Sequence, residues 1–188
     1  MMPGENKRQN DCPERKSCMN HEAIQNLLTR RSIRAFQETP VEKEKIETML
    51  QCAVHAPSAM NRQTWHFSAI LSAEKIQKLA KAMGAALGNP EYNMYKPAAL
   101  IIPSNTEGRE ADNACAMQNI MLAAHAMDVA SVWINQLKDT CDDPAVRALL
   151  TEFGVPQDHK VYGIAALGYA AGDPRPADKK YPVTIIED

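Results

Sequence analysis

The chain has 188 residues, enough for one domain that buries roughly 70% of its unfolded surface and short for two independent cores. Lys and Arg total 21 against 23 Asp and Glu, a formal net charge of -2, which excludes a global basic field for nucleic acid or an anionic membrane. An apolar share of 45% with 23% charged residues excludes a mainly disordered chain. No apolar run is long enough to span a bilayer: the longest, Ala114 to Ile134, is interrupted by Gln118, Asn119, His125 and Asp128.

Residues 1–19 read as a polar leader of mixed charge without a secretory apolar stretch, and residues 20–188 as a single domain. The five cysteines, Cys12, Cys18, Cys52, Cys115 and Cys141, form no C-x-x-C pair, so reduced thiols in the cytoplasm fit better than a disulfide framework or a zinc site.

Asn20 is placed to cap a helix carrying Ala23, Ile24, Leu27 and Leu28 on one face. A second helix is expected from about Val41, with Ile46, Met49, Leu50, Ala53 and Val54, until Pro57 ends it. Trp65 to Leu71 has the aromatic and branched content of a strand, and Ser72 caps a helix over about Ala73 to Leu87. Gly88-Asn89-Pro90 breaks that helix, Ala98 to Ile102 reads as a buried strand, and Ser104 to Arg109 as a polar loop. The segment from about Glu110 to Met127 is a helix apolar nearly all round, placing it between layers or across a subunit interface. Ala130 to Ile134 reads as a strand, Asp143-Pro144 as the start of a helix ending at Gly154, and Val161 to Leu167 as one further strand. The expected fold is α+β, a three-layer α/β/α sandwich with a central mixed sheet; the polar tail after Gly172 is too detached to pack by itself, as in an arm that docks on a partner.

Dinucleotide and P-loop fingerprints, H-E-x-x-H and G-x-S-x-G are all absent, so catalysis is expected to use a bound organic cofactor or backbone groups, with no metal cluster. Arg30-Arg31-Ser32-Ile33-Arg34-Ala35-Phe36 follows a helix directly. Guanidinium forks and a hydroxyl suit a phosphate monoester, while a solvated basic helix end is an equal alternative for these residues alone. In Ala56-Pro57-Ser58-Ala59-Met60-Asn61-Arg62-Gln63-Thr64-Trp65-His66-Phe67 a polar loop leads into an aromatic strand, with amide side chains able to bond a heteroaromatic ring; an ordinary α-to-β connection is the alternative.

In this order and separation the two segments resemble the nitroreductase family of FMN-dependent oxidoreductases, whose pattern is R-R-S-x-R-x-F and then A-P-S-x-x-N-x-Q-x-W-x-F about twenty residues on. Asn119 to His125 is similar to the family's central-helix signature, Val132-Trp133-Ile134 to the strand after it, and Gly163 to Tyr169 to its late strand, so the likeness covers about residues 22 to 182. The resemblance implies a largely antiparallel sheet and a homodimer whose two FMN sites lie at the subunit interface, each built from both chains, with a C-terminal arm reaching the partner. It implies phosphate contacts from Arg30 and Ser32, with Arg31 beside the phosphate and ribityl chain and Arg34 as the cation near the pyrimidine edge. It further implies that Pro57, Ser58, Ala59 and Asn61, with Gln63 as a lesser member, lie against the ring from the other subunit. Asn135 aligns with the residue whose backbone N–H meets flavin N5, Trp133 stands where it can stack near the cofactor or serve the core, and Lys179 and Lys180 stand where the family often has basic residues that complete the phosphate site. Asp128 and Ala130 stand where the family commonly has glycine, Gln136 where glycine is frequent, and Ala59 where serine is frequent.

The activity so implied is oxidation of NADH or NADPH with reduction of nitroaromatics, quinones or similar electron-poor acceptors by a ping-pong mechanism, the flavin carrying the chemistry and no side chain acting as nucleophile. The same fold and cofactor also admit dehalogenation, flavin breakdown, enoate reduction or flavin storage. A non-catalytic module binding RNA or a phosphorylated partner through Arg30 to Arg34 has less support, since aromatics are only 5% of the chain. His66 and His125 read as structural histidines, Cys52 and Cys115 as inert thiols, and the ten methionines as core filling.

Overall fold

The computed structural model describes residues 21–174 and 179–187. Its helices are α1 His21–Thr29, α2 Lys43–Val54, α3 Ala73–Ala86, α4 Glu110–Ala126, α5 Leu137–Thr140 and α6 Pro144–Glu152. Its strands are β1 His66–Ile70, β2 Ala99–Asn105, β3 Ala130–Ile134, β4 Lys160–Val161 and β5 Ile164–Gly168. The helix starts follow capping chemistry. Asp143 accepts hydrogen bonds from the backbone N–H groups of Ala145 at 2.9 Å and Val146 at 3.2 Å, with Pro144 opening the first turn of α6. Ser72 accepts a longer bond, 3.4 Å, from Lys75 N–H at the start of α3.

The sheet order is β1-β2-β5-β3, with β4 continuing beside β2, and every described strand pair is antiparallel. Successive side chains of a strand point to opposite faces, so the buried central strands feed two cores. Leu100 and Ile102 of β2 and Ile164 and Ala166 of β5 join Ile76, Leu79 and Met83 of α3 and Val146 and Leu150 of α6. Ala99, Ile101, Ala165 and Leu167 face the other way, onto Ile46 and Met49 of α2 and Met117 and Ile120 of α4. This is the expected three-layer α/β/α sandwich. Its parallel element is an isolated bridge, Ser32 beside Ser131 on the outer edge of β3.

Two local expectations are corrected, and two further features add to the reading. Strand β2 runs on through Ser104 and Asn105, expected as loop; both are fully buried, with Ser104 Oγ and Asn105 Oδ1 partnered and Asn105 Nδ2 left without a hydrogen bond. Ser104 Oγ lies 3.1 Å from His159 Nδ1, and Asn105 Oδ1 accepts from Thr64 Oγ1 at 2.7 Å. The single strand expected over Val161 to Leu167 is broken into β4 and β5 at Tyr162-Gly163, where Gly163 has φ +154°. The apolar face of α1 is not buried: Ile24, Leu27 and Leu28 are 38%, 56% and 62% exposed. Helix α5, four residues long, is too short to show a period and was not expected. The Asn20 cap, the leader, Cys12 and Cys18 lie outside the described residues.

His159 is buried against Ser104. Burial pushes its imidazole below the usual histidine range; the carboxylate of Asp158 opposes this and the His66 ring adds to it. The folded state therefore favours the neutral ring. Stability is fully present above the unfolded histidine value of roughly 6.5 and is lost as pH falls through it toward the folded value. Urea melts between pH 7.5 and 5 are expected to show that loss, and His159→Gln to flatten it.

Candidate functional site

Helix α1 ends at Thr29, and Arg31 turns back onto that end. Its Nη1 donates to the carbonyls of Leu28 at 2.8 Å and Arg30 at 2.9 Å, filling acceptors that a helix C-terminus leaves open. The chain then runs along the edge of the sheet. Ile33 N–H donates to Ser131 O at 3.0 Å, Gln37 N–H to Tyr169 O at 2.8 Å, and Ala171 N–H to Ala35 O at 3.0 Å. Phe36 closes over Gly168, where an added Cβ would sit 2.9 Å from Phe36 Cδ1. A backbone stitched on both sides thus holds the basic run at a defined place between β3 and the end of β5.

Arg30 is half-buried, and its Nη1 is buried without any hydrogen-bond partner. Burial lowers the affinity of this guanidinium for its proton, and the charge of Arg31 adds to the effect. None of Arg30, Arg31 or Arg34 forms an ion pair among the described residues. Arg30, Arg31, His125, Asp128, Ser131 and Ala170 line a pocket of about 220 Å³. Ser32 and the exposed Arg34 line an adjoining one of about 170 Å³ with Gly172 and Asp173. Adjacent guanidinium groups with a desolvated, unpaired N–H offer donors and positive charge that suit an anion.

The second segment is a strained loop. Ala59–Asn61 form a 3₁₀ turn in which Met60 and Asn61 have φ of 55° and 53°, and Gln63 follows with 49°. Such values are uncommon outside glycine and persist where neighbouring bonds impose them. Here Ala59 N–H donates to Asp112 Oδ1 at 3.0 Å, Gln63 N–H to Ser58 Oγ at 3.2 Å, and Gln63 Nε2 to Asn61 Oδ1 at 2.7 Å. Pro57, Ala59, Asn61 and Gln63 are exposed and Ser58 is half-buried, so the loop presents its surface outward. Sequence reasoning missed Asp112, since an acidic residue in the first turn of a helix is common for dipole reasons alone. Asp112→Ala is expected to raise the amide hydrogen exchange of Ala59 by about 10- to 100-fold, the worth of a charge-assisted bond. A global melt should move little, because Asp112 Oδ2 is buried without a partner and its removal relieves that cost.

The structure does not bring these two segments together within one chain. The loop is tied to Asp112 in the first turn of α4, while the arginine pocket is lined by His125 and Asp128 at its far end. From Asp112 to His125 the helical rise is roughly 20 Å.

Trp133 is half-buried and packs with the core on the α2/α4 side, its indole closed against Gly163. Asn135 is exposed just beyond β3, and its carbonyl accepts Lys138 N–H at 3.0 Å as α5 begins. Asp128 takes the left-handed conformation, φ +59°, as the chain leaves α4. Gln136 is exposed and Ala130 half-buried. Lys179 and Lys180 are exposed and make no ion pair among the described residues; Tyr181, Val183, Ile185 and Ile186 beyond them are exposed at 84%, 55%, 74% and 88%. His125 donates from Nε2 to Thr29 Oγ1 at 2.9 Å, since that hydroxyl spends its proton on Gln25 O. Cys52 and Cys115 are half-buried, and Cys141 is buried.

A three-layer α+β sandwich with an unpaired guanidinium pocket at the sheet edge and a strained polar loop at the opposite end of its central helix defines the class. The chain belongs to the nitroreductase family, whose sequence profile matches residues 27–100 and 103–169. It is 37% identical to a nitroreductase with bound FMN from Bacteroides fragilis NCTC 9343, with a TM-score of 0.81 over 88% of this chain and 99% of that one. A nitroreductase with bound FMN from Desulfitobacterium hafniense DCB-2 shares the fold at 21% identity and a TM-score of 0.78, over 88% of this chain and 98% of that one. A relative from Archaeoglobus fulgidus, provisionally named NADH dehydrogenase/NAD(P)H nitroreductase, is 31% identical over 157 residues, 79% of this chain and 85% of the relative.

Proposed function

We propose that this chain is an FMN-dependent oxidoreductase that oxidises NADH or NADPH and reduces nitroaromatics, quinones or similar electron-poor acceptors in alternating half-reactions. The observation that carries the reading is the buried, partnerless Nη1 of Arg30 in a pocket shared with Arg31. The residues fit FMN, because its phosphate monoester supplies the acceptors the guanidinium groups lack. FMN, when bound, supplies the hydride and electron chemistry. Arg30 holds the phosphate, with Ser32 as hydroxyl donor on the adjoining pocket and Arg31 splitting its donors between the helix end and the anion. Arg34, exposed and unpaired, is free to act as the cation near the pyrimidine edge, where it favours negative charge. Lys179 and Lys180 fit a further basic contribution to the phosphate site. Trp133 and the backbone of Asn135 flank the ring.

A complete site needs a second copy. The loop Pro57–Gln63 and the arginine pocket lie at opposite ends of α4, so two copies with α4 antiparallel bring the loop of each to the pocket of the other. The uncovered Ile24, Leu27 and Leu28 of α1 and the exposed apolar tail support such a homodimer, with the tail as an arm on the partner. Light scattering is expected to give twice the chain mass. Among the described residues no helix is long and apolar enough to cross a membrane, and the free thiols are in keeping with a cytoplasmic enzyme.

The deciding experiment is an anaerobic visible spectrum of the purified protein, with FMN added if it is colourless, before and after NADH and then NADPH. A flavin band that bleaches with either donor is expected. A band that persists with both removes the reductase reading, and no bound flavin removes the cofactor.

A further inference from the structure

We propose that Asp128 limits the hold of the Arg30–Arg31 pocket on phosphate: its carboxylate opposes the anion that the guanidinium groups attract and keeps a phosphate-bearing cofactor exchangeable. The inference rests on the flavin reading above and deepens it at the same pocket. Asp128 lines that pocket together with Arg30 and Arg31. Its carboxylate makes no hydrogen bond or ion pair among the described residues, so it does not neutralise either arginine by contact. Asp128 is exposed, and its backbone has φ +59°, a left-handed conformation that Asp and Asn tolerate better than other residues with a Cβ. Its position is unfavourable in one way. It directly follows Met127, the C-cap of α4, where the partial negative charge of the helix end repels a carboxylate.

An exposed carboxylate at a helix C-terminus, set against the dipole and without a partner among the described residues, is free to act on whatever enters the pocket it lines. What Asp128 supplies is negative charge on the wall of a pocket whose other charges are positive. The pocket opens to solvent, so the opposition is moderate, about three- to tenfold in affinity for a doubly charged phosphate. It also falls with salt, as interactions across water do.

Two variants separate charge from backbone conformation. Asp128→Asn keeps the side-chain shape, tolerates the left-handed conformation and removes the charge; Asp128→Gly removes both. Flavin-fluorescence titrations at low ionic strength are expected to give D128N an FMN Kd about three- to tenfold below that of the natural chain. The gain should shrink at about 0.5 M salt. Riboflavin, which has no phosphate, should bind the two proteins alike, and flavin-free D128G should melt above flavin-free D128N. Equal FMN affinities for the natural chain and D128N, or an equal tightening of riboflavin, overturn the proposal while leaving the flavin reading intact. Where neither protein binds FMN, the flavin reading falls. Asp128 is then tested with inorganic phosphate: a larger gain in Tm for D128N than for the natural chain upholds the opposition, and equal gains overturn it.

Discussion

Arg30→Gln is expected to weaken FMN binding by about 100-fold while leaving the Tm of the flavin-free protein unchanged or higher. Losing a charge-assisted bond to an anion costs roughly 1.5–3 kcal/mol, and the variant loses the charge as well as the fork. In the flavin-free chain the same guanidinium contributes nothing that offsets its burial: Nη1 has no partner, and Arg31 stands beside it. A structural arginine would behave in the opposite way, lowering the melt and leaving affinity near its starting value. Arg31→Gln should also cost affinity but lower the melt, because it removes the donor to the Leu28 and Arg30 carbonyls. Isothermal titration with FMN, paired with thermal melts without flavin, distinguishes the two arginines.

The largest effect on stability is expected at Gly163. A Cβ there would stand 2.2 Å from Trp133 Nε1 and 2.9 Å from Cε2, distances at which the indole must move. The backbone at φ +154° adds strain for any residue with a side chain. Trp133 is wedged into the core beside Ala165, its partner across the β3–β5 ladder, so it has little room to give. Gly163→Ala should therefore cost about 2–4 kcal/mol in urea denaturation, the range of overpacked core sites. The emission of Trp133, read in a Trp65→Phe background, should shift as the ring is displaced. A variant with unchanged stability and emission would mean that the tryptophan is held loosely.

Where a segment carries its own instructions, its structure could be read before it was seen. Asp143-Pro144 started α6, Ser72 started α3, and Ala130 to Ile134 formed β3 over the expected residues, because caps, proline and branched runs act within a few positions of themselves. Ser104 and Asn105 could not be read that way. Polar residues in a buried strand need partners, and theirs, His159 and Thr64, lie 55 and 41 positions away. The apolar stripe of α1 had the right period for a helix, but periodicity says only that a face is apolar and not that the same chain covers it.

The site divides along the same line. Residue types and spacing were enough to mark the arginine run and the Pro57–Gln63 loop and, through their combined order, the family, since these are properties of short stretches of chain. Tertiary structure decided which arginine serves the helix end and which is left buried without a partner, because that depends on what the folded chain places around each guanidinium. It also decided that Asp112 holds the loop, that Asp128 lines the arginine pocket, and that loop and pocket lie a helix length apart. Burial, unpaired polar atoms and distance are properties of packing between remote segments, which local pattern does not encode.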